Sequence, residues 1–404
     1  MEIRPILSAL SRTKIAVFLI ILQIAITLAV ITNAISIVNK NQSDMDRPTG
    51  VDLDNTFIVS ISTVNTQIDS KEIMQSELAK ISATPGVTAV SPSPVVPLSG
   101  NNWCGDLNTA PKGEDGTDVN MCIYHGDENF SRVYDFKIIE GRNFSPEEIA
   151  YVKAGEDVHI PYIMVSKAVA DEMFPEVSAV GKSVYDGGDT EQHPKIIVGV
   201  FDQLISGSPQ HSNPFKMRID GRVGWQHNTN YSIRTAPGEL PVVMEKVEKL
   251  LKQDPNRYVS KVRSMQEYKK IAYELESGVN SMLNTIVTML TFINILGVVS
   301  LAWFNVNKRR KQIGTRRALG ARKGDIVKYF LTENWLITSM GIVLGIAIAL
   351  ALNYLLDQSL EVGKMQPQIL VFGAVLLWVI GLVAVYIPAV RASSISPATA
   401  TRSV

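Results

Sequence analysis

Hydrophobic residues gather in four long runs that contain no charged side chain: Ile15–Val38, Ser277–Asn307, Asn334–Leu356 and Met365–Val390. Each is long enough to cross a bilayer as a helix, which takes about 20 residues. Between the first and second runs the pattern changes to short alternating and helix-period segments of ordinary globular character. The layout predicts one spanning helix, a large aqueous domain, then three spanning helices. The first run exceeds the 7–15 apolar residues of a signal-peptide core, so it predicts a retained helix. Before it, Ile3, Ile6, Leu7 and Leu10 recur at helical spacing. That spacing predicts an amphipathic helix lying on the membrane surface.

Within the aqueous segment, TFIVSISTV (Thr56–Val64) predicts a strand and KEIMQSELAKISATPG (Lys71–Gly86) a helix stopped by Pro-Gly. VTAVSPSPVVPL predicts a second strand. The order recurs near the end of the segment, with NYSIRTA a strand, LPVVMEKVEKLLKQ a helix and RYVSKVRSM a strand. Two β-α-β units, 50–99 and 226–265, thus predict one α+β subdomain built from both ends. The turn-rich insertion between them, 100–225, predicts a second and mostly β subdomain. MQEYKKIAYELESG predicts a helix running straight into the second span, with 266–276 as a stalk.

Charge then orients the spans. The whole chain is neutral, with 39 basic and 39 acidic residues, which argues against a dedicated nucleic-acid binder. The basic residues are unevenly placed. Arg4, Arg12 and Lys14 precede the first span, and Asn307–Ile326 packs eight Lys and Arg into twenty residues. Arg391 and Arg402 follow the fourth span. All three basic flanks fall on one side, which the positive-inside rule assigns to the cytoplasm. The predicted organisation is a cytoplasmic-face helix 1–14, spans 15–38, 277–307, 331–356 and 365–390, an outer domain 39–276, a cytoplasmic segment 308–330 and a cytoplasmic tail 391–404.

Polar and small residues inside the spans predict helix contacts. Asn280, Asn284, Thr288, Thr291 and Asn294 share a face of the second span, and polar groups in lipid seek partners. Gly341, Gly345 and Ala349 form a small-residue ridge on the third. Packing within one four-helix unit and contact with a second copy both fit that ridge. Cys104 and Cys122 lie in the insertion, where an oxidising compartment favours a disulfide, free thiols being the alternative.

Catalytic signatures are not found. VGKSV (Val180–Val184) ends like a phosphate-binding loop, but Glu176 stands where that motif needs glycine. His125, His159, His193, His211 and His227 are scattered without metal-ligand spacing, so no metal site is predicted. No G-x-S-x-G motif occurs. The expected class is a non-catalytic membrane subunit that binds no cofactor itself.

The basic block carries the most specific pattern. RRKQIGTRRALGARKGDIVKYFLTENWLI resembles the signature of the MacB/FtsX-like (type VII) ABC transporter permeases. The resemblance runs through Ile313, Gly314, Arg316, Arg317, Ala318, Leu319, Gly320, Ala321, Asp325 and Ile326. Gln312 departs from it, standing where the family commonly has Glu. The C-terminal IPAVRASSISPATATR is similar to the family ending through Pro388, Ala389, Arg391, Ala392 and Pro397. IIEGRNFSPEE, IMVSKAVADEMFPEVSAVGKSV and KIIVGVFD resemble motifs of the MacB-type periplasmic core domain.

The resemblance implies an α-helical membrane domain of four transmembrane helices with an α+β extracytoplasmic domain of Porter/Sabre type inserted between helices 1 and 2. It implies docking of a separate ABC ATPase dimer, which carries ATP and Mg, on Ile313–Ala321, whose Ile313, Ala318, Leu319 and Ala321 are expected to be exposed. A second permease copy, identical or related, a periplasmic adaptor and an outer-membrane channel are the other implied partners. The implied location is a bacterial inner membrane. The implied role is mechanotransmission for MacB-like efflux. A Lol-type lipoprotein-releasing permease and an FtsX-like signalling permease that regulates a cell-wall hydrolase or senses peptides remain alternatives.

Overall fold

The computed structural model describes residues 14–64, 70–153, 156, 158–187, 193–225, 227–360 and 362–394. The amphipathic helix expected over 1–14 lies outside the described residues except for its last position, and the tail beyond Ser394 lies outside them too. In chain order, helix α1 (Lys14–Asp46) precedes β1 (Thr56–Thr63), α2 (Ser70–Ser82) and β2 (Val87–Pro92). Strands β3 (Cys104–Asn108) and β4 (Asp118–Gly126), helix α3 (Phe130–Tyr134), and strands β5 (Ile138–Gly141), β6 (Ala150–Lys153) and β7 (Tyr162–Ser166) follow. Next come α4 (Lys167–Met173), β8 (Ser183–Asp186), β9 (Lys195–Phe201), β10 (Met217–Trp225) and β11 (Asn228–Thr235). The chain continues through α5 (Leu240–Leu251), β12 (Arg257–Ser264), α6 (Met265–Ala272), α7 (Glu274–Lys308), α8 (Arg310–Ala318), α9 (Lys323–Leu360) and α10 (Pro367–Ser393). Two compact units result: 47–274, and 1–46 with 275–404.

In the outer unit, strands from both ends of the segment form one four-stranded sheet in the order β12-β1-β11-β2. Every neighbouring pair is antiparallel. Two split β-α-β units interleave, which is the ferredoxin-like arrangement. Phe57, Val59, Ile61 and Tyr231 are buried on the face where Tyr231 donates to the Glu77 carboxylate of α2 at 2.5 Å. Arg257 closes the same cluster with a two-point ion pair to Glu77, both bonds 2.8 Å. A buried charge is tolerated because its partners are complete.

The insertion forms an eight-stranded sheet. Its path β4-β3-β8-β9-β7-β10 closes on itself, because Cys122–Gly126 of β4 pairs in parallel with Met217–Gly221 of β10. Leu107, Met121, Ile163, Val165, Val184 and Ile197 fill the interior with α4 residues Val169 and Met173. Cys104 and Cys122 stand directly opposite each other on β3 and β4 and are joined in a disulfide. Helix α3 fastens the insertion to the four-stranded sheet. Tyr134 Oη and Ser232 Oγ are 2.7 Å apart, and Thr56 donates to the Val133 carbonyl at 3.1 Å.

The continuous helix expected across the end of this domain is broken at Tyr273. The residue has φ −111° and ψ 16°, so α6 ends one residue before α7 begins. Ser264 and Glu267 start α6 with a reciprocal capping box.

In the other unit, α1, α7, α9 and α10 are each long and apolar enough to cross a membrane. Helix α1 is central. Ile24, Ala25 and Leu28 are fully enclosed, and Gly341 and Gly345 of α9 pack directly on them. A Cβ at Gly345 would stand 3.0 Å from the Ala25 carbonyl, and one at Gly341 would stand 2.7 Å from Ile24 Cγ2. The small-residue ridge is therefore consumed inside the chain. The same approach lets Asn33 reach the Ala349 carbonyl at 3.1 Å. Gly373 of α10 meets Thr32 and Leu28 of α1 in the same way.

Candidate coupling site

The polypeptide turns sharply where α7 ends. Arg309 leaves helical geometry (φ −103°, ψ 13°), and α8 starts immediately after it. Helix α8 carries Arg316 and Arg317 in its last turn, where cations suit the helix dipole. It then stops in a Schellman motif. Ala321 N–H donates to the Arg316 carbonyl at 3.0 Å and Gly320 N–H to Arg317 at 3.2 Å. Gly320 sits at φ +98°, a conformation that costs a non-glycine residue about 1 kcal/mol. Asp325 then opens α9, accepting from the Arg322 N–H at 2.9 Å. The glycine and the aspartate of GARKGDI are thus the stop of one helix and the start of the next.

This turn differs from the expected exposed segment. Ile313 is buried, not exposed, and Gly314 is buried beside it. The basic faces of α8 point to solvent, so its apolar face folds inward. Ile313 joins Ile326 and Phe330 of α9, Val298 and Val306 of α7, and Ala389 of α10. The exposed apolar tip reduces to Ala318 and Leu319, the latter 83% exposed. Ala321 is half-buried, and Arg317 donates to its carbonyl at 3.0 Å.

Two cations brace the turn against α9. Arg309 forms a two-point ion pair with Glu333, with Nη1–Oε2 at 2.8 Å and Nη2–Oε1 at 2.9 Å. It also donates to Tyr329 Oη at 3.1 Å. The Arg316 guanidinium lies 5.0 Å from the Tyr329 ring centroid. Gln312, where the resemblance expects an acid, is exposed. The acid that serves this turn is Glu333 instead. It lies inside the predicted 331–356 span, one residue before the charge-free run that begins at Asn334. The continuous helix α9 carries it there, almost fully buried.

Polar side chains above the turn are also enclosed. Asn294, Asn305, Asn334 and Thr338 are buried, and each leaves a side-chain polar atom without a hydrogen-bond partner among the described residues. Gly381 of α10 packs against Asn334 and Thr338. Of these polar residues the sequence reading found only Asn294. Amides and hydroxyls barely lower a hydropathy window, so the others left little trace. On the predicted stripe, Asn280 accepts from Asn41 of α1 at 2.8 Å. Thr291 is half-buried, while Asn284 and Thr288 are exposed. The threonine hydroxyls turn back to their own helix, Thr288 to the Asn284 carbonyl and Thr291 to Val287, each at 2.8 Å.

Elsewhere, Cys104, Cys122 and His211 are the one group of three potential metal ligands found together among the described residues. Two of its three donor atoms are the sulfurs of the disulfide. His125 is buried and pushed down to about 4, chiefly by loss of solvent, so it stays neutral.

The model of the MacB-like periplasmic core domain matches residues 17–253, more than half the chain, and that of the FtsX-like permease C-terminal region matches 284–397. The chain belongs to the MacB/FtsX-like family of ABC transporter permeases. It is a membrane protein with an extracytoplasmic domain between its first and second spanning helices. The permease is 25% identical over 287 residues to a macrolide export ATP-binding/permease protein MacB of Chromobacterium violaceum, covering 69% of this chain and 43% of that protein. It thus spans less than half the length of that relative. It is also 25% identical over 302 residues to the ABC transporter permease YvrN of Bacillus subtilis, covering 69% of each. Among solved structures, the periplasmic region of MacB from Actinobacillus actinomycetemcomitans aligns over 55% of this chain and 94% of its own, at 12% identity and a TM-score of 0.34.

Proposed function

We propose that this permease couples ATP hydrolysis on a separate ABC ATPase dimer to conformational change in its outer domain, for MacB-like efflux. The observation that carries the reading is the Ala318–Leu319 tip. It is apolar and exposed, flanked by Arg316, Arg317, Arg322 and Lys323, and set on a turn with three independent restraints. A membrane-surface anchor needs charge and no defined shape. A rigid apolar tip ringed by cations fits insertion into a cleft of a protein partner. The restraints make the tip a lever. Ile313 ties it to α7, α9 and α10, and Arg309 ties it to α9, so a push on Leu319 moves several helices.

In this reading the turn, both chain ends and the three basic flanks lie in the cytoplasm of a bacterial cell, and the membrane is the inner membrane. ATP and Mg belong to the ATPase, and this chain performs no catalysis. A second permease copy completes the ATPase-driven pair. A periplasmic adaptor and an outer-membrane channel complete the route. The export names of the relatives support the direction of transport. Leu319→Asp tests the reading: it should abolish ATPase stimulation by the permease in proteoliposomes while the protein still inserts. Normal stimulation would overturn it.

A further inference from the structure

The outer unit holds a second site, independent of the coupling turn. Register places Lys261, Ser60 and Asn230 in one row across β12, β1 and β11. Tyr231, next to Asn230, faces α2. The row therefore faces the opposite side of the sheet, and Arg263 shares that side, two residues beyond Lys261. The segment Pro94–Asn101 and helix α6 roof this face and leave a cleft of about 340 Å³. That lies at the small end of the roughly 300–1,000 Å³ range of ligand pockets.

The lining is chemically one-sided. Lys261 and Arg263 bring two positive charges, and no carboxylate is among the described residues that line the cleft. Neither cation has an ion-pair or hydrogen-bond partner among the described residues. The polar neighbours are already organised: Ser60 donates to Asn230 Oδ1 at 2.7 Å, and Asn230 donates to the Pro94 carbonyl at 3.1 Å. Ser99 Oγ in the roof is buried and has no hydrogen-bond partner among the described residues. Val96, Leu98 and Ile271 supply an apolar wall. Leu98 holds a left-handed φ of +62°, which strains a leucine. Its N–H donates to the Ser206 carbonyl at 3.2 Å, and Gly100 N–H donates to Gly207 at 2.9 Å, so the roof is pinned in that shape. Strain kept by pinning is the pattern of a preformed pocket.

We infer that this cleft binds a carboxylate attached to an apolar body of amino-acid size, such as an N-acylated amino acid or the C-terminal residue of a peptide. Lys261 and Arg263 hold the carboxylate with charge-assisted hydrogen bonds. Ser99 meets a polar atom of the ligand, and Leu98 and Ile271 cover its side chain. Ile271 belongs to α6, which leads into α7 through Tyr273, so the ligand would sit on the element next to a spanning helix.

The test uses the full chain in nanodiscs of zwitterionic lipid, titrated with N-acetyl-leucine, with Ala-Ala-Leu and with N-acetyl-leucinamide, and read by saturation-transfer NMR. At least one carboxylate should bind saturably and at least about tenfold more tightly than the amide, a factor worth about 1.4 kcal/mol. Preference for the tripeptide assigns a peptide C-terminus, and preference for N-acetyl-leucine assigns a free acyl amino acid. K261Q/R263Q should lose that advantage. K261E/R263E should instead gain binding of unacetylated leucinamide, titrated in parallel, whose free α-amine is cationic, a gain that a misfolded variant could not produce. No saturable binding, equal binding of acid and amide, or unchanged binding by both double variants would overturn the site.

Discussion

Arg309 and Glu333, on either side of the coupling turn, are locked by two parallel hydrogen bonds of 2.8 and 2.9 Å. The pair joins the end of α7 to α9, and Glu333 is almost fully buried. Removing one partner of such a pair leaves the other charged and unpaired, at a cost of about 3–5 kcal/mol. Glu333→Ala should therefore lower the thermal midpoint of the detergent-solubilised permease by many degrees. Replacing both residues, R309M/E333L, should restore most of the midpoint. A midpoint unchanged by the single substitution would mean that the pair does not hold the turn.

Gly320 tests the backbone of the same turn. A Cβ there would meet nothing within 4 Å, so Gly320→Ala adds only the strain of its positive φ. The expected loss is about 1 kcal/mol, and Gly320→Asn should lose less, because Asn tolerates this region. Chemical denaturation of the two variants checks the order. Equal stability of glycine and alanine would contradict the Schellman stop.

Gly345 tests the α1–α9 contact. A side chain there meets the Ala25 backbone at 3.0–3.1 Å, and backbone cannot yield as a flexible side chain can. Gly345→Leu should therefore cost more than the 1–3 kcal/mol typical of overpacking, whereas Gly278→Leu, with open space around it, should be tolerated. Folded yield after detergent extraction separates the two. Equal yields would place the ridge elsewhere.

Asp127 gives the outer domain a pH signature. Burial raises its carboxyl to about 7, and Glu128 adds to the rise. The Ser91 hydroxyl and the Asn129 N–H oppose it. The unfolded chain releases this proton near pH 4, whereas the fold keeps it until about pH 7. Stability must therefore fall as pH rises across that window. Asp127→Asn should match the parent near pH 4 and exceed its thermal midpoint near pH 8. A difference independent of pH would remove Asp127 as the cause.

Local pattern revealed the four spans and both β-α-β units, because hydrophobic runs and turn residues act over short distances. Gly320, matched through the family resemblance, is explained by the Schellman stop. Contacts between distant elements left no such trace. The β4–β10 closure joins strands about ninety residues apart in parallel, and no turn signals it. Glu333 looked like the edge of an apolar run, although its partner Arg309 lies 24 residues away, at the turn between α7 and α8. Ile313 looked exposed because its neighbours are basic, and only the fold-back of α8 buries it. The Lys261–Ser60–Asn230 row depends on the register of three strands and was illegible for the same reason.

The proposed function requires the Ala318–Leu319 tip to touch an ATPase. A photoreactive residue placed at 319 in the full chain, illuminated in native membranes, tests this most directly. The account predicts a crosslink to an ABC ATPase subunit, weakened when nucleotide is depleted and absent when the same probe sits at Phe372, on the exposed surface of α10. Crosslinking at 319 to lipid alone, with no ATPase product, would contradict it.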